Sequence, residues 1–435
     1  MVIQSTLILF GIFFIMLFTG VPISVGIGIA SIVTAFFSFD PSVFAITAAQ
    51  RVFSGIDSFA LLALPFFTLA GNIMNKGGIA QRLVRLARLV VGWIPGYLAA
   101  TNVLANMFFG AISGSSVAAT SAMGSIMSPL EKEEGYDPNY SAAVNICSAP
   151  TGIIIPPSGP LILYSITAGG VSIAALFMAG YIPGLILGLS VLIGAIIMAS
   201  KKGYKKSSVK ETASPLRIVI DAIPSLFAVI LVMAGILAGW FTATEAGVVA
   251  VLYCGLLGFL YKELNVKNVY DLLADTMISS ATILFLIAAS TIMSYVMSYS
   301  GIPAAISEMI MGASNNKYVL LLIMNLFLLV MGMFLDLTPA VLIFTPIFLP
   351  IIASIGMSPV HFGIMLILNL GIGSVTPPVG SCLFVGCAVG KVSIEGVTKY
   401  IIPLFLAMVV ALLLVTYIPA LSLWLPYMFD LVPSF

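Results

Sequence analysis

Two short stretches of this chain place hydroxyl or carboxylate side chains beside helix-breaking backbone inside apolar sequence: Ser113-Gly114-Ser115-Ser116 and Asp336-Leu337-Thr338-Pro339. Two more runs carry a Gly-x-x-x-Pro-Pro break, from Gly152 to Pro157 and from Gly373 to Pro378, the second with Thr376 as an extra side-chain oxygen. Adjacent prolines remove two backbone donors and the glycine loosens the preceding turn, so neither run continues as helix and carbonyl oxygens are freed. Small hydroxyls and free carbonyls are ligands for a hard cation, whereas the amino ends of half-helices attract anionic groups. A carboxylate in an apolar run costs about 2.5 to 3.5 kcal/mol on insertion scales and marks function by default, which singles out Asp336. The plainer alternatives are a helix cap for Asp336, close helix packing for Ser113, Ser115 and Ser116, and a simple kink for the prolines.

The elements that position these residues occur twice. The segment GYDPNYSAAVNICSAPTGIIIPPSGP from Gly135 reappears, diverged but without gaps, as GMSPVHFGIMLILNLGIGSVTPPVGS from Gly356. At a constant spacing of 221 residues, Pro129 falls on Pro350, Pro156-Pro157 on Pro377-Pro378, Gly159 on Gly380, and Ser115 on Asp336. Interrupted apolar segments at matching positions of two halves are the sequence signature of a transporter binding site. Upstream of each break, FFGAISGSSVAATSAMGSIMSPL from Phe108 and VMGMFLDLTPAVLIFTPIFLP from Val330 read as re-entrant hairpins whose tips must be buried in protein or line a wet cavity.

The surroundings are a bilayer. Hydrophobic residues make up 61% of the 435 residues and charged ones 8%, too little polar matter to cover a water-soluble surface. A net charge of +1 says nothing about nucleic acid or acidic partners, and no basic cluster with interleaved aromatics suggests either, so no nucleic-acid partner is expected. Cys147, Cys254, Cys382 and Cys387 sit in apolar runs without metal-site spacing and read as buried small hydrophobes, and His361, the only histidine, reads as a membrane-interface residue. The fold expected is an all-α polytopic membrane protein of two inverted repeats, residues 1–200 and 218–435, joined by a cytoplasmic basic linker, 201–217. The hairpins are expected near 98–129 and 317–350, and the broken helices near 139–168 and 359–390. Five crossings per half place KKGYKKSSVK from Lys201 on the cytoplasmic side and both termini outside the cytoplasm. Arg82, Arg85 and Arg88 recur on one helix face, so GGIAQRLVRLARLVVGW reads as an arm along the membrane surface, with GIPAAISEMIMG from Gly301 as its counterpart.

The paired breaks, the SGSS tip, the tract AGWFTATEAG from Ala238, TGVPISVGIG and the NKGGIAQRLVRLA arm together resemble the large membrane subunit of a tripartite ATP-independent periplasmic (TRAP) transporter, the DctM-like family, over essentially the whole chain. That resemblance implies an elevator-type secondary transporter in a bacterial inner membrane, working with sodium, a small four-span subunit and a periplasmic binding protein. It implies two or more sodium ions and no organic cofactor. One sodium site would use Ser113 and Ser115 with carbonyls around Gly152, Ile155 and Pro157. The second would use Thr338 with Gly373, Thr376 and Pro378. Asp336, Ser116, Ser158 and Ser374 would line the substrate cavity. Because the chain begins directly with the large-subunit pattern, the small subunit is expected as a separate polypeptide. The solute expected is an organic acid, sialic acid first and a C4-dicarboxylate second.

Three other classes share parts of this pattern. A stand-alone sodium/dicarboxylate carrier has the repeat but needs no binding protein, and a channel conducts only down the gradient of its solute. An intramembrane enzyme needs a nucleophile–base pair at membrane depth, and none accompanies Asp336 or His361, so no enzymatic activity is expected.

Overall fold

A computed structural model describes residues 2–204, 214–314, 316–377 and 379–433. Linker residues 205–213 and Pro378 lie outside the described residues. The chain is all-helical. The first half contains α1 (Val2–Phe18), α2 (Ile23–Ser38), α3 (Pro41–Ile56), α4 (Ala63–Lys76), α5 (Ile79–Val91), α6 (Tyr97–Ser113), α7 (Ser116–Glu133), α8 (Pro138–Ser148), α9 (Thr151–Ile154), α10 (Gly159–Thr167) and α11 (Ile173–Lys201). The second contains α12 (Pro215–Leu237), α13 (Ala243–Leu260), α14 (Val266–Tyr299), α15 (Ile302–Ala313), α16 (Lys317–Phe334), α17 (Leu337–Ser354), α18 (Pro359–Gly373), α19 (Ser381–Gly390), α20 (Ile394–Tyr417) and α21 (Ala420–Met428). Among the described residues, eight helices are long and apolar enough to cross a membrane, or nine if a helix pair bent by 49° counts as one span. They keep large apolar side chains such as Ile193, Ile220, Leu252 and Ile278 on the outside, as lipid requires.

Helix boundaries recur at the sequence spacing: α17, α18 and α20 begin 221 residues after α7, α8 and α11. The caps recur as well, because Ser115 and Asp336 are the N-cap positions of α7 and α17, and Ser172 and Ser393 cap α11 and α20 through their side chains. One departure separates the halves. The first interrupts its third long segment at Asp57-Ser58 between α3 and α4, whereas the corresponding α14 runs unbroken for 34 residues.

The halves interlock. Helix α13 packs on α4, α20 on α11 and α8, α19 on α7, and α17 on α10. The arm α5 buries Leu83, Leu86 and Ala87, and its arginines do not all reach outward: Arg82 stacks over the Tyr261 ring at 3.5 Å and Arg88 over Tyr97 at 5.5 Å, leaving Arg85 exposed. His361 corrects the sequence reading. It is buried rather than interfacial, with Nε2 3.2 Å from the Thr416 carbonyl. Its repeat mate Tyr140 donates its hydroxyl to the matching carbonyl, Ala195, at 2.7 Å. A carbonyl only accepts, so Nε2 carries the proton in this contact.

Candidate functional site

Both segments expected to hold tips are helix–break–helix. Helix α6 ends at Ser113, Gly114 turns the chain with a left-handed φ of 60°, and Ser115 opens α7 with its hydroxyl accepting from the Ala118 N–H at 3.3 Å. In the second tip α16 ends at Phe334 and Asp336 stands at the N-cap of α17, but its carboxylate makes no capping bond. It accepts instead from the Ser381 hydroxyl at 2.9 Å, across to the start of α19. The cap alternative for Asp336 therefore finds no hydrogen bond to support it.

Each hairpin reaches its broken segment through a glycine-to-glycine approach. A Cβ on Gly152 would lie 2.3 Å from Gly110 Cα, and one on Gly373 would lie 2.6 Å from Gly332 Cα. Such contact admits no side chain on either partner. At the first tip a Cβ on Gly114 would meet the Pro157 carbonyl oxygen at 3.3 Å, so that freed carbonyl stands against the Ser113–Ser115 turn. The Ser113 hydroxyl is buried there with no hydrogen-bond partner, an oxygen available to a cation. Of the set expected around Ser113, Ser115, Gly152, Ile155 and Pro157, the Pro157 carbonyl and the Ser113–Ser115 turn meet here. Ile155 follows α9 in extended conformation with its side chain against Gly184 of α11. On the second side, the Thr376 hydroxyl donates to Ile372 O at 2.9 Å, and the Ser374 and Thr376 carbonyls crowd Gly380.

The tips meet at a cavity of about 490 Å³. Ser113, Ser115, Ser116, Asp336 and Thr338 all line it, with Gly159 and Pro160 from the start of α10. Ser158 and Ser374 do not. Ser158 is fully buried and caps α10 through Leu161 N–H, while the Ser374 hydroxyl donates to Gly371 O at 2.7 Å. Three helices, α7, α10 and α17, thus begin at this one cavity, and no lysine or arginine lines it among the described residues. Each helix amino end favours an anion by about 0.3 to 1 kcal/mol, more where water is excluded.

The opposite wall was missed from sequence. Thr68 and Asn72 of α4 and Ser279 of α14 line the cavity, and the Asn72 amide donates to Thr276 at 3.0 Å, tying α4 to α14. Asn72 was detectable as a lone amide inside the apolar run Phe59 to Met74, but its partner lies 204 residues away.

The family model for the DctM component of tripartite ATP-independent periplasmic transporters matches residues 10–421. The uncharacterised protein YgiK of Salmonella typhimurium is 48% identical over 98% of this chain and 98% of its own length. The C4-dicarboxylate TRAP transporter large permease protein DctM of Rhodobacter capsulatus is 36% identical over 97% of this chain and 99% of its own. In fold, the chain resembles the crystal structure of the YdaH transporter of Alcanivorax borkumensis, with a TM-score of 0.64, 15% identity and coverage of 91% and 90%.

Proposed function

We propose, on the premise that this chain belongs to the DctM family of TRAP transporter large permeases, that it takes up a small organic acid by sodium-coupled secondary transport. The observation that carries the reading is the cavity between the two hairpin tips, fed by three helix amino ends and lacking any basic side chain among the described residues. Such a site holds a carboxylate by backbone dipoles and hydroxyls, from Ser115, Ser116 and Thr338. Sodium, as co-transported ion, would bind at Ser113, Ser115, Gly152, Ile155 and Pro157, and near Thr338, Gly373 and Thr376. It would supply there the positive charge that the side chains lack. The unpartnered Ser113 hydroxyl and the adjacent Pro157 carbonyl support the first of these sites.

The movement proposed is an elevator. Helices α6–α11 and α16–α21 carry the tips and breaks, while α4 and α14, bound through Asn72 and Thr276, face them across the cavity. The carrier body touches this wall through α4 against α6 and α10, and α14 against α17. The partners proposed are a small membrane subunit and a periplasmic binding protein, in a bacterial inner membrane with both termini outside the cytoplasm.

The test is solute uptake into proteoliposomes holding this chain and its small subunit, with an inward sodium gradient, with and without the binding protein. Sialic acid and a C4-dicarboxylate are the first solutes. Uptake that requires sodium, small subunit and binding protein together is expected. Uptake with sodium alone would make this a stand-alone carrier, and uptake that never exceeds the gradient of the solute would make it a channel.

A further inference from the structure

A second cavity, of about 440 Å³, opens between the end of α7, the start of α8 and the end of α19. Lys132 and Lys391 both line it, and neither has a carboxylate within ion-pair distance among the described residues. Lys391 is fixed at the end of α19 in a left-handed conformation, φ 53°, which is uncommon outside glycine and aims the chain sharply there. Tyr136 and Ser141 line the same cavity, each more than nine-tenths buried. Glu131, Glu133 and Glu134 do not line it, and Asp137 beside it is engaged by Lys202 at 2.8 Å.

The two cavities share a seam. Along α7, Ser121 lines the main cavity, and Ser125, Ser128 and Lys132 line the second; spacings of four, three and four put all four on one helix face. Opposite them on α19, Val385 lines the first cavity and Val389 the second, with Lys391 just past the helix end also lining the second. Among the described residues the main cavity has no cationic side chain and the second has two, so an anion moving along this seam passes from a dipole-lined site to a charged one.

We propose that the second cavity is an anion station, where Lys132 and Lys391 hold the carboxylate or sulfonate of a small organic acid on its way between the main cavity and the α7–α19 end of the protein. The proposal rests on the transport reading only for the identity of that anion. Two positive charges roughly 7 Å away also concentrate a small monoanion locally, by about sevenfold in an unscreened water-like medium and by about two- to threefold at physiological ionic strength.

The experiment reads that concentration directly. All four native cysteines are buried, so Ser125→Cys, at an exposed position on the seam, gives this chain one accessible thiol, and its labelling is read on this chain alone. The full chain with its small subunit is placed in nanodiscs of neutral lipid, which leaves no anionic headgroup to compete. The rates of reaction with anionic methanethiosulfonate ethylsulfonate and a cationic trimethylammonium analogue are compared. The anionic reagent is expected to react several-fold faster, with that preference lost in Lys132→Gln/Lys391→Gln and reduced by millimolar succinate. A preference unchanged by removing both lysines, or absent while they are present, overturns the proposal. Failure of uptake in the proteoliposome assay would leave these labelling rates unaffected, so the two readings fail separately.

Discussion

Gly152→Ala tests the geometry on which the first ion site depends. An ideal Cβ at Gly152 lies 2.3 Å from Gly110 Cα, 2.9 Å from its carbonyl carbon and 3.3 Å from its oxygen. Carbon atoms in contact settle at about 3.5 to 4.0 Å, so α6 and α9 must separate by roughly 1.3 Å, and because backbone lies on both sides no rotamer relieves the clash. Overpacking of this kind costs about 1 to 3 kcal/mol, with the upper half expected for a backbone-to-backbone contact. Alanine in a helix recovers up to about 1 kcal/mol of backbone entropy, so Gly28→Ala in α2, where nothing lies within 4 Å of the added carbon, is the matched control. The assay is thermal unfolding of the purified protein in one detergent, followed by uptake. Gly28→Ala should be neutral or slightly stabilised, and Gly152→Ala should fall below it by about 2 to 3 kcal/mol and lose most transport, because the shift separates the Ser113 turn from the Pro157 carbonyl. Equal unfolding temperatures for the two variants would refute the close approach of α6 and α9.

Ser113→Ala, which removes an unpartnered buried hydroxyl, should leave stability within about 0.5 kcal/mol and raise the sodium concentration for half-maximal uptake at least several-fold; an unchanged sodium dependence removes Ser113 from the ion site. Asp336→Asn should unfold like the wild type, since no capping bond is lost, yet transport at least about tenfold more slowly; retention of full uptake would reduce Asp336 to its contact with Ser381. At the linker end, burial alone would raise the Asp137 carboxyl, but hydrogen bonds from Lys202 and Tyr400 outweigh it and hold the group well below the usual carboxylate range. Because the folded value is depressed, the stabilisation is present above the unfolded value of about 4 and is lost as pH falls below it. Lys202→Met should therefore cost about 1 kcal/mol at pH 7, with the gap to wild type narrowing below about pH 4; a gap that stays constant from neutral pH into that range contradicts the linkage.

Covalent chemistry and helical period act within a few residues, and the features they govern were legible from the amino-acid order. The proline pairs and Gly114 work through missing donors and permitted dihedrals, so where α9 gives way to α10, and where the first hairpin turns, could be read without knowing any neighbour. The spacing of 221 carried over to helix starts, because each half solves the same local problem with the same punctuation. The roles of the hydroxyls were not legible. Ser116 faces the cavity while Ser158 and Ser374 turn to nearby backbone, since a serine beside a break can satisfy the chain locally instead of a ligand. His361 misled for a similar reason: an apolar run with a proline at its start looks the same at the interface as in the core, and only the approach of Thr416 decides. Tertiary packing brought α4 and α14 together to close the cavity with Thr68, Asn72 and Ser279, and set α7 against α19 so that Lys132 and Lys391 share one wall. Those meetings join residues some 200 or more apart in the chain, where no periodicity reaches and only the packing of one half into the other chooses the partner.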